Sequence, residues 1–466
     1  MRRLPISVAA LFLAISAFAA EPFDDKFRQL EEVLPTPNGV RNASGAPGHA
    51  YWQQRADYTI RARLDEGKRS ITATETITYH NNSPDSLPYL WIQLDQNIFQ
   101  PGSDARTTST VASREAWAKA RGEEEGMKFE GMRSILESRT FEGGFRIGSV
   151  KTSSGQPLKY TINKTMMRID LPQPMKPGSR FTFNIDFSYN INEAKVMGGR
   201  TGYEKFDEDK NDLFEIAHWF PRMAAYYDVY GWQHKQFLGS GEFTLEFGDY
   251  DVQLTVPSDH IVASTGELQN PGAVLSATQR ERLNRARTSS KPVIIVTQQE
   301  AEAAEKNRAS TTKTWHFKAK NVRDFAFATS RKFIWDAQGY KKGGTNTMAM
   351  SYYPKEGNPL WEKYSTQAII HTIEQYNKYS LDYPYPAAIS VNGPVGGMEY
   401  PMISFNGPRP TKDKKTGEIT YSKRTKYGLI GVIIHEVGHN YFPMIVNSDE
   451  RQWTWMDEGL NTFVQY

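Results

Sequence analysis

The sequence has no cysteine. That excludes any disulfide and any lipid-modified N-terminal cysteine, so the fold rests on core packing, with or without metal. An excess of one charge is missing too. Lys and Arg number 56 against 53 Asp and Glu, a net charge of +3 to which Arg2 and Arg3 contribute two. Nothing in that balance calls for nucleic acid or an acidic membrane surface as partner. No repeat recurs at solenoid periods. What is present, 39% hydrophobic and 12% aromatic residues over 466 positions, describes a folded chain too long for a single core.

The opening "MRRLPISVAALFLAISAFAA" has two arginines, an apolar run and small residues at Ala17 and Ala19. This is the layout of a secretory signal peptide over residues 1–20. The run is shorter than the roughly 20 residues that span a bilayer. The expectation is export to the periplasm or beyond, with no stable membrane anchor after cleavage.

Two regions of different character follow. From Tyr51 to Leu268, segments such as "YTIRARLDEGKRSITATETITYHNN" and "FTFNIDFSYNI" alternate apolar and polar residues between turn signals. They predict a large antiparallel β domain over residues 21–340, with charged insertions near 101–142 and 275–310 that read as solvated helices or loops. "GYKKGGT", around Gly339 to Thr345, reads as a linker. Residues 341–466 change to an α+β pattern: a long helix within "NPLWEKYSTQAIIHTIEQYNKYS", short strands, a lysine-rich loop and two closing helices.

The chemistry is concentrated near the end. "YGLIGVIIHEVGHNYFP" is apolar at Leu429, Ile430, Ile433, Ile434 and Val437, so it predicts a buried helix ended by Pro443. At about 100° per residue, His435 and His439 stand about 40° apart on one face and can reach one ion. Glu436, about 100° around, lies beside that ion, the place of a general base toward a metal-bound water. "TWMDEGL" then opens with Thr454-x-x-Asp457, a capping-box pattern predicting a second helix with Glu458 in its first turn. Two His, one Glu and an open position make a catalytic zinc sphere, whereas a structural zinc is closed by four ligands, usually thiolates.

These residues resemble the gluzincin metallopeptidases of the aminopeptidase N and leukotriene hydrolase family. "GGMEY", Gly396 to Tyr400, resembles that family's exopeptidase motif and supports the likeness independently. The resemblance implies a β-rich N-terminal domain followed by a thermolysin-like α+β peptidase domain, and one Zn2+ held by His435, His439 and Glu458. It implies Glu436 as general base, Glu399 as the group binding the free N-terminus of a peptide, and Gly396, Gly397 and Met398 beside the substrate backbone. Cleavage would then fall after the first residue. Tyr400 and Asp457 stand where Asn is common in the family, and Asn440 and Pro443 also depart from its pattern. "FEIAHWFPRMAAYYDVYGW" is loosely similar to a segment bordering the active site, with Glu215 and His218 as candidates, although packing is the better account of both.

The family also uses a tyrosine several dozen residues beyond the glutamate ligand to stabilise the oxyanion. Here Tyr466 follows Glu458 by only a few positions, on the same predicted helix. The expectation is a C-terminally shortened copy with weak or absent activity, since one oxyanion donor carries about 10²–10³ in rate. Two alternatives stay open: a thermolysin-like endopeptidase, indifferent to the free amine, and an inactive, zinc-retaining peptide-binding module.

Overall fold

Strict alternation builds the largest sheet. In Arg55–Asp65 the buried residues are Ala56, Tyr58, Ile60, Ala62 and Leu64; in Ser70–His80 they are Ile71, Ala73, Glu75, Ile77 and Tyr79. A period of two puts each set on one face. Seven strands join in the spatial order Glu267–Leu268, Thr312–Val322, Gly248–Pro257, Arg55–Asp65, Ser70–His80, Arg180–Asn190 and Arg146–Thr152. All neighbours are antiparallel except one pair. Arg55–Asp65 runs parallel to Gly248–Pro257, with Tyr58 opposite Tyr250. A four-stranded sheet including Leu87–Gln93 and Met166–Met175 adds Leu90, Ile92, Met167 and Ile169 to the same core. Each such fully buried side chain stabilises the fold by about 1.5–3 kcal/mol. The chain is a mixed α+β protein, mostly sheet, with a β-rich N-terminal part.

The computed structural model describes residues 37–108, 136, 139–413 and 415–466. The expected export segment and most of the 101–142 insertion lie outside the described residues. Contacts divide the chain into two units. Of the smaller, residues 37–52 and Asp228–Tyr230 are described, with Arg41 bidentate on Asp228 and over the Tyr51 ring. The larger comprises Gln53–Tyr227 and Gly231–Tyr466, and everything below belongs to it.

The 275–310 insertion forms two helices, α1 (Ala277–Ala286) and α2 (Gln298–Lys306), each opened by a capping box, Ser276 with Gln279 and Thr297 with Glu300. A six-stranded sheet then carries the C-terminal part. Its order is Val293–Val296, Ile334–Lys342, Thr345–Tyr353, Ala387–Asn392, Ile403–Asn406 and Gly397–Tyr400. "GYKKGGT" corrects the linker expectation. Ile334–Lys342 and Thr345–Tyr353 are a paired hairpin, and Gly343, at φ 59°, makes the turn between them. A glycine there adopts the left-handed backbone without a Cβ clash. Helix α3 (Leu360–Tyr379) packs on this sheet, burying Leu360, Trp361, Ala368, Ile369, Ile373 and Tyr376.

Two helices close the described chain, α4 (Lys423–Gly438) and α5 (Trp455–Gln465). The first ends at Gly438, short of Pro443. The second starts where expected but not by the expected device. Thr454 has helical backbone angles, φ −50° and ψ −30°, and caps nothing. Trp453 N already bonds Asp449 O, so the helical turn begins upstream and the Thr454 hydroxyl donates back to Glu450 O at 2.8 Å.

Candidate metal centre

Three helices meet at Gly438. A Cβ there would lie 2.3 Å from the Tyr376 hydroxyl of α3 and 2.5 Å from Asn461 Oδ1 of α5. Only glycine lets the helices approach this closely. The approach is then locked by polar bonds: Tyr376 OH donates to Asn461 Oδ1 at 2.7 Å, and Asn461 Nδ2 donates to His435 O at 3.0 Å. Leu429, Ile433 and Val437 seat the other face of α4 in the core. Helix α5 thus turns a polar stripe, Asp457, Glu458, Asn461 and Gln465, toward the histidines. These positions recur at intervals of three, four or seven and share one face.

The stripe brings the sequence-predicted ligands together. His435 Nε2 and His439 Nε2 are 3.1 Å apart, and Glu458 Oε2 lies 3.1 Å from the first and 3.6 Å from the second. Zinc bonds of about 2.0–2.2 Å at a tetrahedral angle separate neighbouring ligand atoms by about 3.3–3.6 Å. The donor set and its spacing therefore fit one zinc ion. The Glu458 side chain is 56% exposed, so the site opens to solvent on that side.

The histidine tautomers suit the same role. His435 Nδ1 faces Gln465 Oε1 at 2.9 Å, and the amide is oriented by its Nε2 donating to Gly431 O at 3.4 Å. His439 Nδ1 donates to Phe442 O at 2.8 Å, with an Asp457 carboxylate oxygen 3.1 Å from the same nitrogen. With a cation held there, each Nδ1 would keep its proton and each Nε2 would present a lone pair to the common point. Three electron-pair donors facing one point repel unless a cation stands among them.

Behind the ligands lies a buried acidic pair. Glu399, Glu436 and His439 place ligand atoms within 4.8 Å of one another, and Glu399 Oε1 is 4.0 Å from His439 Nδ1. Burial first, then the neighbouring Glu399 charge, pushes the Glu436 carboxyl well above the usual carboxylate range. Burial also raises Glu399, opposed by His439 and aided by Asp457 and Glu242, to about 7. For His439, burial works against protonation, but Glu399, Asp457 and Glu458 outweigh it and hold its pKa above the ordinary range. Hydrogen bonds from His435 and His439 hold Glu458 below its own.

The glycines of "GGMEY" have separate uses. A Cβ on Gly397 would lie 2.5 Å from Glu436 Oε1, so its bareness makes room for that carboxylate. Gly396 fronts open space: a Cβ there would meet no atom of the described residues within 4 Å. Met398, expected beside the substrate, is instead buried in the core, because alternation along Gly397–Tyr400 turns it away from Glu399. Glu215 is fully buried; its Oε2 accepts from Val395 N at 2.9 Å, and Gly393 is bare where a Cβ would meet that carboxylate at 2.2 Å. His218 is buried and packs edge-on against Phe237 and Tyr400.

Sequence reasoning missed Gln465 and Asn461 as partners of His435. Their spacing from Glu458, seven and three residues along a helix, was the available signal.

No protein-family model and no curated protein sequence matches the chain. Among solved structures it is similar to the M1 zinc metallopeptidase from Deinococcus radiodurans. That match has a TM-score of 0.52 at 12% identity, over 89% of this chain and 69% of that one. A point mutant of the same protein gives a TM-score of 0.50 at 11% identity, over 89% and 69%. At such identity the likeness is one of fold: this chain has the fold of the M1 zinc metallopeptidases, a β-rich N-terminal part leading into an α+β part.

Proposed function

We propose that this chain is a zinc-dependent aminopeptidase that removes the first residue from peptides with a free N-terminus. The observation that carries the reading is the convergence of His435 Nε2, His439 Nε2 and Glu458 Oε2 with two buried carboxylates directly behind them. The shared fold with zinc metallopeptidases supports zinc as the metal. His435, His439 and Glu458 would hold it. When bound, zinc supplies Lewis-acid polarisation of the scissile carbonyl and eases the deprotonation of water.

The rest falls to the chain's own side chains. Glu436 takes a proton from the attacking water and returns it to the leaving nitrogen. A carboxyl buried beside the ligand set suits a group that must both accept and give. Glu399 binds the ammonium of the peptide, and Gly396 leaves space for its backbone. Because Glu399 stands at a fixed short distance from His439, the cut falls after one residue. The signal-like first twenty residues support a periplasmic or secreted site of action.

Hydrolysis of leucyl p-nitroanilide and of its N-acetylated form by the zinc-loaded chain tests this. The free amine should be preferred by about tenfold or more, the factor of one charge-assisted hydrogen bond. Equal rates would replace the reading by an endopeptidase, and zinc binding with no hydrolysis of either by a peptide-binding module.

A further inference from the structure

The strand carrying Glu399 ends in a two-residue turn. Tyr400 pairs with Ile403 across it, and Pro401 and Met402 form the loop. Met402 has φ 66°, a left-handed conformation that a turn of this kind ordinarily assigns to glycine. A methionine stays there only if its surroundings hold it.

Two hydrogen bonds do so from opposite sides. Asn440 Oδ1 accepts from Met402 N at 2.7 Å, and Thr265 Oγ1 donates to Pro401 O at 2.8 Å. Both anchors are themselves fixed. Thr265 Oγ1 accepts from Ala326 N at 3.1 Å, and the Asn440 amide is oriented by Nδ2 donating to Val437 O at 3.4 Å. Asn440, Thr265 and Met402 are all fully buried, so water offers none of these groups a substitute. Asn440 directly follows His439, and Pro401 lies two residues after Glu399. The Asn440–Met402 bond is therefore a short tie between the metal-ligand helix and the strand of the amine-binding carboxylate.

We infer that Asn440 and Thr265 are positioning residues that fix where Glu399 stands relative to the metal centre, and so set the one-residue reach of the site. The inference rests on the aminopeptidase reading. Asn440 touches neither zinc nor peptide; it acts by holding the turn. Removing either anchor lets the hairpin relax, and Glu399 moves away from the place where it meets a bound ammonium.

The test is binding rather than turnover. Zinc-loaded full chain is titrated calorimetrically with L-leucinamide and with N-acetyl-L-leucinamide, and zinc content is measured alongside. The wild-type chain should prefer the free amine. Asn440→Ala and, independently, Thr265→Val should each cut that preference by about tenfold, the factor of one misplaced hydrogen bond. Binding of the acetylated probe and a stoichiometry of one zinc should not change. Asn440→Asp, which keeps an acceptor oxygen at the same reach, should retain most of the preference. Equal weakening of both probes, or loss of zinc, marks a merely structural role and overturns the inference. A preference unchanged in both variants overturns it too and leaves the aminopeptidase reading standing. A wild-type chain indifferent to the amine overturns that reading itself, and this inference with it. Should Asn440→Ala not fold, Thr265→Val alone decides.

Discussion

Gln465 Oε1 lies 2.9 Å from His435 Nδ1, two helical turns along from Glu458. One helix thus supplies both a candidate ligand and the group that fixes the tautomer of another. Gln465→Ala should lower zinc affinity by about 10–100-fold without unfolding the chain. Competition with a chromophoric chelator measures this, and an unchanged affinity would show that Glu458 alone organises His435.

Glu436 is buried beside the ligands without being one of them in the convergent set. Glu436→Gln keeps its shape and removes its basicity. Hydrolysis should fall below detection while zinc content stays at one ion. A variant that remained active would assign the base elsewhere.

The paired glycines give a sharper contrast. Gly397→Ala would place a methyl 2.5 Å from Glu436 Oε1, displacing the carboxylate, whereas Gly396→Ala meets nothing within 4 Å. Gly397→Ala should therefore lose activity by about 100-fold, the usual consequence of a misplacement near 1 Å. Gly396→Ala should retain its rate on small amides. Steady-state rates for the two variants, compared at equal zinc content, check the prediction, and equal losses would refute it.

Far from the site, Glu75 sits in the β core, and neither of its carboxyl oxygens has a partner among the described residues. Burial pushes its carboxyl well above the usual range. A folded-state pKa raised above the unfolded value means stability is full below about 4.3, the ordinary glutamate value, and declines as pH rises toward the folded pKa. The slope is at most about 1.4 kcal/mol per pH unit. Glu75→Gln removes that decline, so it should raise the melting temperature more at pH 8 than at pH 5. Thermal melts at the two values decide, and a gap independent of pH would refute the account.

Much of the candidate site was legible because it is local. His435, Glu436 and His439 share one turn of helix, and Glu458 and Glu399 stand in recognisable short stretches. What escaped depends on packing between elements. The partners of His435 emerge only when α5 lies against α4, and that approach hinges on Gly438, a glycine with no local distinction. Asn440 stood out as a departure from a pattern, but its bond to Met402 N joins a helix end to a turn that no spacing announces. "GYKKGGT" read as a linker because its glycines mark a chain reversal without saying whether the flanking strands pair. Thr454 misled for a related reason: an upstream turn had already set its backbone, and a hydroxyl in a helical backbone bonds backward.

The single parallel pairing in the large sheet has a kinetic consequence. Arg55–Asp65 forms a hairpin with Ser70–His80 as soon as both exist, but its other edge waits for Gly248–Pro257. Until then a long strand edge with one apolar face stays open, the kind of surface that pairs with other chains. Pairing across so large a sequence separation is slow. Helices α3, α4 and α5, by contrast, are close neighbours in the chain. Refolding of this protein should therefore be limited by closure of the N-terminal sheet, with yield falling as concentration rises, while the helices of the metal centre assemble early.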